Sequence, residues 1–119
     1  MATHNDFGKE AEAQAVSFLR KKNYVIHEQN YRYNFAEVDI IAEVDNMLVC
    51  VEVKARTSNF FGDPQSFVSS KKIKLMVKAM DYYITQHEIE KELRFDIIAV
   101  LKQNNKISIT HFEDAFYHF

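Results

Sequence analysis

Ala36-Glu37-Val38-Asp39-Ile40-Ile41-Ala42-Glu43-Val44, then Asp45-Asn46, then Met47-Leu48-Val49-Cys50-Val51-Glu52-Val53-Lys54-Ala55-Arg56 is the stretch that decides the fold. Both flanks are rich in Val and Ile and read as strands. The Asp-Asn pair between them tolerates positive φ and suits a two-residue hairpin turn. Such a turn sets Ile41 opposite Cys50, Asp39 opposite Glu52 and Glu37 opposite Lys54. Alternation then puts Glu37, Asp39 and Ile41 on one face, with Leu48, Cys50, Glu52, Lys54 and Arg56 on the matching face of the partner. Ala36, Val38, Ile40 and Ala42 against Met47, Val49, Val51 and Val53 read as a continuous core on the other face.

Two carboxylates facing each other across strands, about 5 Å apart, repel by roughly 3 kcal/mol at an effective dielectric near 20. A shared proton, a nearby Lys54 or Arg56, or a hard divalent cation would offset that cost. The cation is the most economical answer, because carboxylate oxygens suit Mg²⁺ or Mn²⁺. A metal on Asp39 and Glu52 suits hydrolysis of a phosphodiester, with Lys54 orienting the attacking water or stabilising developing negative charge. The bland alternative is a surface hairpin whose charges meet solvent.

Outward from the hairpin, Phe7, Ala11, Ala15, Phe18 and Leu19 recur at helical spacing, so an amphipathic helix is expected from about Asp6 to Lys22. Tyr24 to Tyr33 reads as a first strand. Thr57 to Gln65, with Gly62 and the chain's one proline, Pro64, forms a loop. Ile73, Met76, Val77, Met80, Tyr83 and Ile84 mark a helix between about Gln65 and His87, with a cap near Ser69-Ser70. Leu93 to Leu101 and Lys106 to Phe112 are strands joined at Asn104-Asn105. The order is helix, three strands, helix, two strands. A long helix can carry a crossover between parallel strands, so the sheet is expected to be mixed, in an α/β layer architecture.

With 119 residues, 47% hydrophobic and 27% charged, one soluble domain spanning residues 1–119 is expected. A single cysteine, Cys50, excludes an intramolecular disulfide and a cysteine-based zinc cluster, and fits a reducing cytoplasm. No signal peptide or membrane span is expected. The formal net charge of −2 argues against coating nucleic acid by electrostatics alone, so any nucleic-acid site must be local. Lys71, Lys74 and Lys78 share one helical side, with Lys72 nearby, and with Arg56 they are candidates for tracking phosphates. A solvated basic face is the competing reading. Phe60 and Phe61 either anchor their loop or stack on an unpaired base. Arg94 and Asp96 share a strand face and are expected to form an ion pair. The histidines lack metal-ligand spacing and the two glycines cannot build a P-loop, which excludes zinc proteases and P-loop nucleotide hydrolysis.

Gly8-Lys9-Glu10, Glu37 to Ala42, Val51 to Arg56, Phe61-Gly62-Asp63-Pro64 and Arg94-Phe95-Asp96, in that order, resemble the YraN-like family of small bacterial proteins. That family is similar to archaeal Holliday junction resolvases within the PD-(D/E)xK nuclease superfamily. The resemblance implies a restriction-endonuclease-like fold with an αβββαβ core and a site of Asp39 and Glu52 as metal ligands. Lys54 is then the catalytic lysine, and Glu10 a helix-borne carboxylate completing the metal site. It further implies a DNA endonuclease, selective for branched or single-stranded structures and working as a homodimer. The residue before Asp39 is Val38, where the superfamily's nominal motif has proline. Two other outcomes stay open: a nucleic-acid-binding or protein-interaction module of the same fold without efficient catalysis, and an RNA-directed nuclease.

Overall fold

A computed structural model describes residues 4–57 and 68–116. Loop residues Phe60 to Pro64, including both loop phenylalanines, lie outside the described residues. Helix α1, His4–Lys21, presents Ala11, Ala15, Val16 and Leu19 as a buried stripe. It ends where Asn23 takes a left-handed φ of 69°, with Tyr24 N–H donating to Leu19 O and Asn23 N–H to Arg20 O, each at 3.0 Å. This double bond caps the last turn and hands the chain to the first strand.

Strands β1 (Val25–Tyr33), β2 (Ala36–Val44) and β3 (Met47–Arg56) run as an antiparallel meander. Helix α2, Ser70–Gln86, crosses back to β4 (Glu92–Gln103), which lies parallel to β3. The last strand, β5 (Lys106–Phe112), closes antiparallel on β4, so the sheet order is β1-β2-β3-β4-β5. The predicted turns form as expected: Asp45 and Asn46 at φ of 47° and 65°, and Asn104 and Asn105 at 50° and 61°, are both left-handed pairs that match strand twist. Ser69 caps α2, its hydroxyl accepting from Lys72 N–H at 3.2 Å.

The helices cover opposite faces of the mixed sheet. On the α1 side Ala15, Leu19, Ile40, Ala42, Val49, Val51, Ile98 and Val100 form one core. On the α2 side Ile41, Leu48, Cys50, Met76, Met80, Phe95 and Ile97 form the other. This α/β arrangement matches a restriction-endonuclease-like core. Among the described residues no helix is long and apolar enough to cross a membrane.

The expected continuous apolar face of β2 is corrected in one respect. Ala36 and Val38 belong to the α2-side core, whereas Ile40 and Ala42 belong to the α1-side core. The alternation therefore changes phase between Val38 and Ile40. The β1–β2 ladder pairs Tyr31 with Val38 and Gln29 with Ile40 but leaves out Asn30 and Asp39, and Asn30 sits at a left-handed φ of 54°. The irregularity releases Asp39 from the pleat.

Candidate active site

The central strand β3 turns from apolar to charged along its α2-facing side: Leu48 and Cys50 are core, and Glu52 and Lys54 follow. The hairpin register matches expectation from Val44↔Met47 through Ile41↔Cys50 to Ile40↔Val51, and the ladder stops there. Asp39 and Glu52 are therefore not a ladder pair. The parallel ladder to β4 continues to Arg56↔Leu101, so β3 stays anchored on one side while β2 departs. In the gap, Val53 N–H donates to Asp39 Oδ2 at 2.8 Å, a side chain taking the place of a strand carbonyl.

Glu52 is only 1% exposed. Its Oε2 accepts from Lys72 Nζ of α2 and lies 3.4 Å from Lys54 Nζ. Its Oε1 is buried with no hydrogen-bond partner. Burial first, then a hydrogen bond and the charge of Glu52, then the charge of Glu12, push the Asp39 carboxyl up to about 8, against the pull of Val53 N–H. A proton on Asp39 relieves the repulsion between the two carboxyls. Burial draws the Lys72 ammonium down, but the hydrogen bond to Glu52 and the charges of Glu52, Asp39 and Glu37 outweigh it and leave the pKa raised.

These features fit a hard divalent cation. Mg²⁺ is ordinarily held by one or two carboxylates together with waters, and Glu52 offers a buried carboxylate with an orphaned oxygen, with the half-buried Asp39 carboxyl beside it. Among the described residues, no third His, Cys, Asp or Glu joins them in a cluster able to hold a metal by protein atoms alone.

The α1 carboxylates divide differently from the expectation. Glu10 meets Lys102 Nζ of β4 at 3.2 Å. Glu12 is the α1 acid whose charge acts on Asp39. Burial, then the charge of Glu37, then that of Glu52, raise the Glu12 pKa against a hydrogen bond from Asn30, the residue left out opposite Asp39. The sequence contained a signal for this choice: Glu12 heads the helical row of Val16 and Leu19, both buried, whereas Glu10 heads the exposed Gln14 and Ser17.

Of the expected phosphate-tracking residues, Lys71, Lys74 and Lys78 are exposed along one side of α2. Lys72 is turned about a third of the way round the helix from them, toward Glu52. Arg56 ends β3, its Nη1 donating to Ala55 O at 3.0 Å.

The expected Arg94–Asp96 ion pair forms, and it is part of a larger buried network on the α1 side. Asp96 Oδ1 accepts from Arg94 Nε at 2.8 Å and Asp114 N–H at 3.0 Å, while Oδ2 accepts from Arg94 Nη2 at 2.8 Å. His111 Nε2 also lies 2.7 Å from Oδ2. An ammonium only donates, so Lys22 Nζ at 3.1 Å makes His111 Nδ1 the acceptor and puts the ring proton on Nε2, toward Asp96. Arg94 Nη2 also donates to the Tyr24 hydroxyl at 2.7 Å. His111 and Tyr24 were not among the expected participants.

Fold and site together define an α/β protein with a restriction-endonuclease-like core and a buried acidic pair beside a lysine. Residues 11–100 match the uncharacterised protein family UPF0102, and the chain belongs to that family, in agreement with the YraN-like resemblance. The matched span contains Glu12, Asp39, Glu52 and Lys54 and begins just after Glu10. The chain is 54% identical to a UPF0102 protein of Flavobacterium psychrophilum and 50% identical to one of Christiangramia forsetii, over the whole of each chain. A UPF0102 protein of Bacteroides thetaiotaomicron is 42% identical over 98% of this chain and 97% of its own.

Proposed function

We propose that Asp39 and Glu52 hold a divalent cation, Mg²⁺ or Mn²⁺, and that the chain is an endonuclease hydrolysing phosphodiester bonds of DNA. The observation that carries this reading is the buried, partnerless Oε1 of Glu52 beside a second carboxyl that burial and repulsion hold protonated to about pH 8. Lys72 and a proton on Asp39 compensate the pair only in part and leave Oε1 without a partner, whereas a cation satisfies both acids at once. When bound, the cation supplies Lewis acidity toward a phosphoryl oxygen and toward the attacking water.

The chain's own residues do the rest. Val53 N–H fixes one oxygen of Asp39, leaving the other to face Glu52. Lys54, 3.4 Å from Glu52, is oriented by it and offers an ammonium to the developing negative charge. Glu12 takes the place that the family resemblance suggested for Glu10, as the α1 carboxylate whose charge acts on the pair. Lys72 neutralises Glu52 before the cation arrives. Lys71, Lys74, Lys78 and Arg56 form the positive rim for the phosphate backbone. A homodimer and a cytoplasmic location accompany this reading by family likeness and by the free, buried Cys50.

The test incubates the protein with labelled four-way junction, flap, duplex and single-stranded DNA, and with RNA, in Mg²⁺ and in Mn²⁺. Metal-dependent cleavage of DNA is expected, lost in Asp39→Ala and Glu52→Ala and lowered about 10²- to 10³-fold in Lys54→Ala. No cleavage of any substrate, or cleavage that survives both carboxylate substitutions, overturns it. Preferential cleavage of RNA would move the substrate class.

A second reading, a nucleic-acid-binding or protein-interaction module with little or no catalysis, is favoured by one observation: Lys72 already compensates Glu52. It predicts DNA binding that ignores metal and Lys54→Ala but falls on charge reversal at Lys71, Lys74 and Lys78.

A further inference from the structure

Phe35 is 94% exposed at the tip of the turn between β1 and β2, where Asn34 takes a left-handed φ of 54°. A single exposed aromatic side chain contributes little packing and becomes informative only through what surrounds it. It does not stand alone. Phe35 forms one wall of a cavity of about 290 Å³ whose other walls are Ala36, Glu37 and the first turns of α2, with Lys71, Lys72, Leu75 and Met76. Leu75 and Met76 make part of the lining apolar, while the exposed Lys71 puts positive charge beside it.

Among the described lining residues Glu37 is the one acid, and Arg32 Nη2 lies 3.3 Å from its Oε2. Arg32 counters that charge and Glu52 counters Lys72, so Lys71 carries the positive charge that the cavity offers. Lys72 belongs at once to the cavity and to the catalytic pair, since its ammonium meets Glu52. The cavity therefore opens about one lysine side chain from the two carboxylates.

An exposed aromatic face, an apolar lining and a lysine beside it are what a base and its phosphate require together, and stacking on an aromatic is tolerant of base identity. A base inside an intact duplex cannot reach such a wall, because both of its faces are already stacked. We infer that Phe35 and the cavity beneath it receive an unstacked base, so that the site selects DNA carrying unpaired nucleotides next to the bond presented to Asp39 and Glu52. This rests on reading the acidic pair as a DNA site and adds a device for recognising substrate structure. Phe35 is a positioning residue and touches none of the catalytic groups in the role given to it.

The experiment measures equilibrium binding to a flapped DNA and to the fully paired duplex of the same sequence, without metal and with Mn²⁺. 2-Aminopurine at the first unpaired position reports stacking, and cleavage is followed in parallel. The wild-type protein is expected to prefer the flap and to quench the probe. Phe35→Ala is expected to weaken flap binding about 5- to 50-fold and abolish the quench while leaving duplex binding unchanged, and Phe35→Trp is expected to restore both flap binding and the quench. Because Phe35 is exposed, neither substitution endangers the fold.

Equal losses on both DNAs, no loss on either, or a Trp variant as weak as the Ala variant overturns the inference. If nothing is cut in any metal while Phe35-dependent flap binding persists, the catalytic reading fails and this one stands. If the flap is cut normally with Phe35→Ala indistinguishable from wild type, this one fails and the catalytic reading stands.

Discussion

Glu52 and Asp96 sit on adjacent parallel strands at the centre of the sheet, and both are essentially inaccessible to water, at 1% and 0% exposure. They meet the cost of burying a carboxylate in opposite ways. Each oxygen of Asp96 has two partners, drawn from Arg94, His111 and the backbone of Asp114. Burial would raise its pKa, but His111, Arg94 and the Asp114 N–H together outweigh burial and hold it below the ordinary carboxylate value. Glu52 crowds two lysines onto one oxygen, leaves the other with nothing, and faces a second acid. A saturated buried carboxylate is a structural tie. An unsaturated one, paired with another acid, is a place where a proton or a cation completes the structure.

The largest effect should come from the saturated side. Asp96→Ala takes the bidentate partner from the Arg94 guanidinium, which is 16% exposed and keeps only Glu113 and the Tyr24 hydroxyl, and should destabilise the fold by about 3–5 kcal/mol in urea unfolding. A loss below roughly 1 kcal/mol would erase the contrast. The unsaturated side should respond in the other direction. Asp39→Asn removes the repulsion and keeps the volume, so the metal-free protein should become more stable by about 1–3 kcal/mol at pH 8 to 9, while metal binding is lost. Destabilisation of the metal-free protein by this substitution would mean the pair is structural after all.

The two acids should also carry opposite signatures in pH. Asp39 titrates near 8 when folded against an ordinary value of 3.8, so between those values the folded state holds a proton the unfolded chain has shed. Its contribution is therefore lost as pH rises from about 4 to about 8. Asp96 is held below 3.8 when folded, so its contribution is present above that value and is lost as pH falls through the folded pKa. Urea denaturation across pH, in wild type and Asp39→Asn, should show a falling limb above pH 4 in wild type alone. Saturating Mn²⁺ should flatten it. A finer distinction lies on α1, where Glu12→Gln should weaken metal binding about 10-fold and Glu10→Gln should leave it unchanged. The smallest effect expected is a few-fold tightening of metal binding in Lys72→Met, which keeps the packed stem and removes the competing ammonium.

Much of this contrast could be read from residue order. The left-handed pairs Asp45-Asn46 and Asn104-Asn105 fixed both hairpin turns, and the placement of Glu52 and Lys54 beyond Leu48 and Cys50 on one face of β3 followed from alternation alone. The phase change at Asp39 could not be read that way. It depends on Asn30, a residue of the neighbouring strand, adopting a left-handed conformation opposite it, and no periodicity within β2 records that. Glu12 was legible in principle from its row with Val16 and Leu19, but motif likeness drew attention to Glu10 instead. Lys72 separates from Lys71, Lys74 and Lys78 by helical phase, although only the packed sheet gives it Glu52 as a partner. The Asp96 network joins Tyr24, Lys22, His111 and Asp114 from distant parts of the chain, and local pattern carries no trace of such meetings.

A cation that completes Glu52 and Asp39 is what separates a nuclease site from a structural acidic pair. Calorimetric titration of Mn²⁺ into the wild-type protein at pH 7, in two buffers of different ionisation enthalpy, tests this most directly, with Glu52→Gln and Asp39→Asn alongside. One site per chain that releases about one proton on binding, absent from both variants, is the predicted result. No binding to the wild type, or binding of equal strength to the variants with no proton released, would contradict it.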